Sequence, residues 1–167
     1  MAADFLLATD EERRSTGRDL FALIERLYPI CRSKTGNGGR ETLRIVDEFA
    51  GLNVHEVASG SQAFDWVVPK EWNVADAWVN DPKGRRVIDF RNSNLHLVGY
   101  SIPVRRRMPL AELRTHLVSL PDRPDWIPFR DTFYREDWGF CLSQRALDAL
   151  PDGEYEVRID SSLSNGS

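Results

Sequence analysis

The distribution of aromatic residues constrains this chain more than any other feature. Of its 17 aromatic residues, 12 fall between Phe64 and Phe140, and these include all five tryptophans. Each such ring buries a large area, so a stretch this dense either builds a core of its own or presents rings to a partner. The segment "AFDWVVPKEWNVADAWVND", Ala63 to Asp81, carries three of the indoles. Trp78 sits in a strand-like run and is expected in the core. Trp66 and Trp72 are six positions apart with Pro69 between them and are expected to point differently. Trp138 is expected to pack against a hairpin. Trp72 and Trp126 lie among charges and prolines in loops, which makes them the candidates for the surface.

Around this aromatic stretch the periodicity changes. "RDLFALIERLY" (18–28) places Leu20, Phe21, Ile24, Leu27 and Tyr28 on one helical stripe, and Pro29 ends it. Residues 1–17 read as a loose lead-in. "TGNGG" is a turn, and "RETLRIVDEFA" is a second helix with Leu43, Val46, Phe49 and Ala50 on its buried side, closed by Gly51. "NVHEVASG" alternates as a strand. "ADAWVND" and "RRVIDF" flank "DPKG", the signature of a β-hairpin. "NLHLVGYS" is predicted as a third strand, "PLAELRTHLVSL" as a helix, and "DTFYREDWGFCLS" as strand-like. Ser143 caps a short helix, "QRALDAL", and "YEVRID" is a strand followed by a polar, unstructured ending. The fold class is therefore α+β.

Charge and cysteine content exclude several classes. The net charge is −4 and the pI about 5.4, which argues against nucleic acid as a partner. "VRRRM" (104–108) is the one dense basic run and reads as a solvated loop. Cys31 and Cys141 form no CxxC pair, so neither a zinc knuckle nor a thioredoxin-type site is indicated. The first residues carry neither a secretory signal nor a membrane span, and a reduced, cytoplasmic state with no membrane partner is expected.

No catalytic constellation is legible. HExxH and GxSxG are absent, "TGNGG" lacks the remainder of a phosphate-binding loop, and His55 and His116 read as ordinary surface residues. His96 shares a predicted strand face with Val98 and Tyr100, where imidazole and phenol can meet a ligand. The candidate ligand-binding residues are thus Trp72, His96, Tyr100 and Trp126, with a peptide or an oligosaccharide as the expected partner. No catalytic or metal-ligating residue is assigned.

Several motifs occur in one order: "LYPICRSKTGNGGRETLRIVDEF", "FDWVVPKEWNV", "VIDFRNSNLHLVGYSIPV", "LPDRPDWIPF", "WGFCLS" and "DGEYEVRIDSSLSNGS". Together they resemble the front part of bacterial aminopeptidase-like proteins, which have a zinc-exopeptidase fold interrupted by a small domain of unknown function. The resemblance covers about residues 18–167. It implies that 18–63 opens an incomplete α/β core, that 64–150 is an inserted β-rich, Trp-rich lobe, and that 151–167 is a return strand. It also implies that the family's zinc ligands and catalytic carboxylate follow the last motif. On this resemblance no cofactor is expected in this chain, zinc belongs to the complete protein, and the chain alone is expected to lack hydrolase activity. A truncated product with an uncovered, self-associating core surface is the corresponding expectation, and a peptide- or carbohydrate-binding module is the alternative.

Overall fold

The computed structural model describes residues 9–133 and 135–166, and the chain divides into a unit ending at Ile30 and a second running from Cys31. The first unit is helix α1 (Asp10–Leu27). Thr9 Oγ1 accepts a hydrogen bond from the Glu12 N–H at 3.3 Å, and the Thr9 N–H donates to Glu12 Oε2 at 2.7 Å. This reciprocal cap satisfies two N–H groups that a helix start otherwise leaves unpaired. It sets the helix start at Asp10, so residues 10–17 are its first turns rather than a loose lead-in. Residues 1–8 lie outside the described residues. The helix ends ahead of Pro29, as the missing proline N–H requires.

The second unit is organised by one antiparallel sheet. Its strands are β3 (Glu71–Asn80), β4 (Arg86–Asp89), β5 (Val104–Pro109) and β8 (Glu154–Ser164), in the order β4-β3-β8-β5. Alternation puts Ala77, Val79, Ile88, Met108, Tyr155, Val157 and Ile159 on one face, all buried. Short elements cover that face. They are α3 (Leu110–Leu113), the parallel pair β6 (Leu117–Val118) and β7 (Phe140–Cys141), and α4 (Gln144–Asp148), which Ser143 caps through the Ala146 N–H. Phe140 and Tyr155 are fully buried, each contributing about 1.5–3 kcal/mol by removal from water. Helix α2 (Asn37–Ala50) ends at Gly51 in the left-handed conformation. A two-strand ribbon, β1 (Gln62–Ala63) and β2 (Trp66–Val67), follows it.

Several expectations from sequence are corrected. Residues 52–58 form no strand. The predicted strand at 94–101 is a 3-10 turn over Asn94–His96 followed by an irregular bend, because Tyr100 takes φ +63°. The predicted helix at 109–120 stops at Leu113, and of 131–143 only Phe140–Cys141 is strand. The polar ending is not unstructured. β8 continues to Ser164 because β3 pairs with it throughout, Trp72 opposite Leu163 and Glu71 opposite Ser164. On α2 the buried residue is Ile45, while Leu43 and Phe49 of the predicted inner stripe are exposed. Among the described residues no helix is long and apolar enough to cross a membrane.

The predicted hairpin is present as β3–β4, and Asp81 holds its turn. Its side chain accepts from the N–H groups of Lys83 and Arg85, each at 2.9 Å, and from Arg85 Nε at 2.8 Å. Burial alone would raise the Asp81 pKa. The bonds from Arg85 and Lys83 outweigh it and hold the carboxyl below the usual carboxylate range. The stabilisation is therefore complete above the unfolded value of about 3.9 and is lost as pH falls below it. Asp81→Asn is expected to lower the melting temperature at neutral pH and to flatten its acid decline. Thermal melts across this pH range measure both, and an unchanged acid decline contradicts the assignment.

Candidate functional site

The segment 99–101 builds the site. The Trp72 Nε1–H donates to the Ser101 carbonyl at 2.9 Å, and Ser161 Oγ donates to the same oxygen at 2.8 Å. Ser101 Oγ donates to the Val98 carbonyl at 2.6 Å and accepts the Gly139 N–H at 3.2 Å. These bonds fix the loop so tightly that Tyr100 is held at φ +63°, a conformation that costs a non-glycine residue of order 1–3 kcal/mol. The result is an aromatic row. Tyr100 stacks on Trp72 with ring centres 5.8 Å apart, meets Phe133 edge-on at 5.0 Å, and Phe133 lies 5.9 Å from Trp66.

A cation caps the row. Lys34 Nζ lies 3.8 Å above the centre of the Phe133 ring and 5.5 Å from that of Tyr100, and its charge is shared with Asp131 at 3.5 Å. Such contacts contribute about 0.5–1 kcal/mol at exposed sites. Lys34 is delivered by the turn before α2. That turn approaches β3 so closely that a side chain at Gly36 (φ +124°) would stand 2.6 Å from the Trp72 carbonyl oxygen. Thr35 Oγ1 donates to the Lys70 carbonyl at 3.0 Å and lies 3.4 Å from the Tyr100 hydroxyl.

Two clefts flank the row. One, of about 290 Å³, is lined by Tyr100, Phe133, Lys70, Arg135, Glu136 and Leu163. The other, of about 400 Å³, is mostly apolar, with Leu43, Val54, Val57 and Trp66 beside Lys34 and Arg40. Arg40 anchors it, binding Glu71 through two nitrogens and Glu56 at 2.9 Å. Those two carboxylates keep its guanidinium charged.

The predicted site residues separate. Trp72 is buried rather than at the surface, 5% exposed, and it touches Tyr100, which is also buried. His96 ends the 3-10 turn Asn94–His96. Its ring is oriented by Nδ1, which donates to the Cys141 carbonyl at 2.8 Å. Trp126 is exposed, with the Arg123 guanidinium 5.0 Å from its ring centre. Trp66, Phe133 and Lys34 were not singled out from sequence. The "FRDTF" run that carries Phe133 offered no periodicity, and contacts between residues a hundred positions apart leave no local signal.

The resemblance noted above implies zinc in the complete protein, but these residues do not fit it. Among the described residues no three His, Cys, Asp or Glu side chains converge as a metal requires, and no step is drawn through one. Burial pushes the thiols of Cys31 and Cys141 up to about 11, which leaves both protonated and weakly nucleophilic at neutral pH.

Comparison with known proteins places this geometry. Residues 71–162 match the family described as Domain of unknown function (DUF2172). A Clostridium acetobutylicum protein, named for polysaccharide biosynthesis and an aminopeptidase-like domain, is 51% identical over 152 residues, which is 91% of this chain and 35% of that protein. A crystal structure from Clostridium acetobutylicum, named as a peptidase, superposes with a TM-score of 0.89 at 51% identity, covering 92% of this chain and 36% of that one. The chain thus spans about a third of the length of the relatives it matches.

If the Trp72–Ser101 bond locks the row, Trp72→Phe should destabilise the protein by about 1–2 kcal/mol, through the lost donor and lost volume. Urea denaturation measures this, and a neutral result removes the indole N–H from the account.

Proposed function

The chain belongs to the DUF2172 family, and from that membership we propose that it is the N-terminal, non-catalytic portion of an aminopeptidase-like protein. In this reading α2 belongs to the opening of a zinc-exopeptidase-type core. Residues 64–150 are the inserted lobe, 151–167, which carry β8, are the return strand of the core, and the metal-binding segment lies in the part of the protein that this chain does not span. The match to proteins about three times as long carries the reading. The exposed apolar residues Leu43, Phe49, Val54 and Val57 support it, because they are a surface suited to further chain. The isolated chain is expected to bind zinc well below one ion per molecule by elemental analysis and to release no product from aminoacyl anilides. Stoichiometric zinc, or turnover that a chelator abolishes, contradicts the proposal.

A second reading, that the lobe binds a peptide or oligosaccharide, is favoured by one observation. Trp66 is 39% exposed, packs on Phe133, and lines the cleft of about 400 Å³ together with Lys34. A rigid, half-exposed ring next to a cation suits either ligand. Peptide and oligosaccharide panels are expected to shift tryptophan fluorescence, and Trp66→Ala to abolish the shift. The absence of any shift, or a shift that persists in Trp66→Ala, removes this reading.

A further inference from the structure

The basic run read from sequence as a solvated loop is β5, an edge strand of the sheet. Alternation places Arg105 and Arg107 together on the face opposite the core, while Val104 and Met108 turn inward and are buried. Arg106 shares the inward parity and is held by Glu112 at 3.2 Å. Across the ladder Arg107 stands opposite Glu156, but Arg105 stands directly opposite Arg158. Like charges facing each other in a strand pair are destabilising. Arg158 is offset by Asp160 at 3.2 Å, whereas neither Arg105 nor Arg107 has an ion pair among the described residues. On its other side β5 has no backbone hydrogen-bond partner among the described residues, so a row of N–H and C=O groups stands open beside two unpaired cations.

We propose that β5 is a docking edge for an extended acidic peptide segment, which adds to the sheet as a fifth strand. Backbone hydrogen bonds to β5 supply the attachment. Carboxylates at alternate positions meet Arg105 and Arg107, and the one beside Arg105 relieves its opposition to Arg158. The same arginines repel a second copy of β5, which keeps the open edge from pairing with itself. Nucleic acid fits this edge poorly, because it has no backbone amides to pair with the open N–H and C=O groups, and two arginines are few for holding a phosphate backbone. The inference is independent of the aminopeptidase-like reading, since it uses neither cleft nor any metal-binding residue.

The test titrates the full chain, by fluorescence anisotropy at low salt, with a short capped peptide that alternates Glu with Thr and Val. Three controls accompany it. They are the same peptide with Lys for Glu, the same acidic peptide N-methylated on the amides that would pair with β5, and an oligogalacturonate of equal charge. The acidic peptide is expected to bind at least about tenfold more tightly than each control, and the Arg105→Glu, Arg107→Glu double variant to lose about tenfold with its melting temperature retained. Equal binding by the N-methylated peptide or the uronate means a charge patch without strand addition, and overturns the proposal. So does an absence of binding, which leaves the arginines as edge protection only. If the double variant melts early, Arg105→Gln with Arg107→Gln replaces it and must show the same direction of change.

Discussion

A single main-chain oxygen organises the second unit. The carbonyl of Ser101 accepts from the indole of Trp72 on β3 and from the hydroxyl of Ser161 on β8, so one acceptor ties two neighbouring strands to one irregular bend. The hydroxyl of the same residue reaches the Val98 carbonyl and receives the Gly139 N–H. A buried polar group left unpaired costs about 1–3 kcal/mol, so each partner here enforces the position of the others. The strain at Tyr100 is tolerated because this network over-determines its backbone.

That constraint propagates outward. With Tyr100 fixed, its ring stands between Trp72 and Phe133, and Phe133 offers a face to Lys34 and a side to Trp66. Trp72 and Tyr100 form the buried end of the row, and Trp66 at its other end is partly open to solvent. The tryptophans of this stretch therefore divide between core and surface. Trp72 and Trp138 are inside, with Trp138 stacked on His116 at 3.7 Å, while Trp66 and Trp126 are open to solvent.

Legibility from sequence followed how local the determining interactions are. The β3–β4 hairpin was readable because Asp81, Pro82 and Gly84 encode the turn within four residues, and the Ser143 cap was readable for the same reason. The end of α1 before Pro29 and the end of α2 at Gly51 were equally local. The start of α1 at Asp10 was also encoded, by Thr9 and Glu12, but the charged composition of the segment masked the capping pattern. The bend at Tyr100 was not readable. "NLHLVGYS" alternates like a strand, and only bonds from residues 72, 139 and 161 override that preference.

The sequence by itself determined the α+β class, the turns and helix ends, and the resemblance to aminopeptidase-like proteins, since these rest on short-range backbone preferences and on motifs in fixed order. Tertiary structure alone decided which rings are buried, that Lys34 meets Phe133 across about a hundred residues, and that the arginines of 105–107 lie on an open sheet edge. The physical reason is that burial and pairing are properties of which segments come together. A six-residue run such as "VRRRMP" carries the same local preferences whether its free side faces water, a loop or another strand.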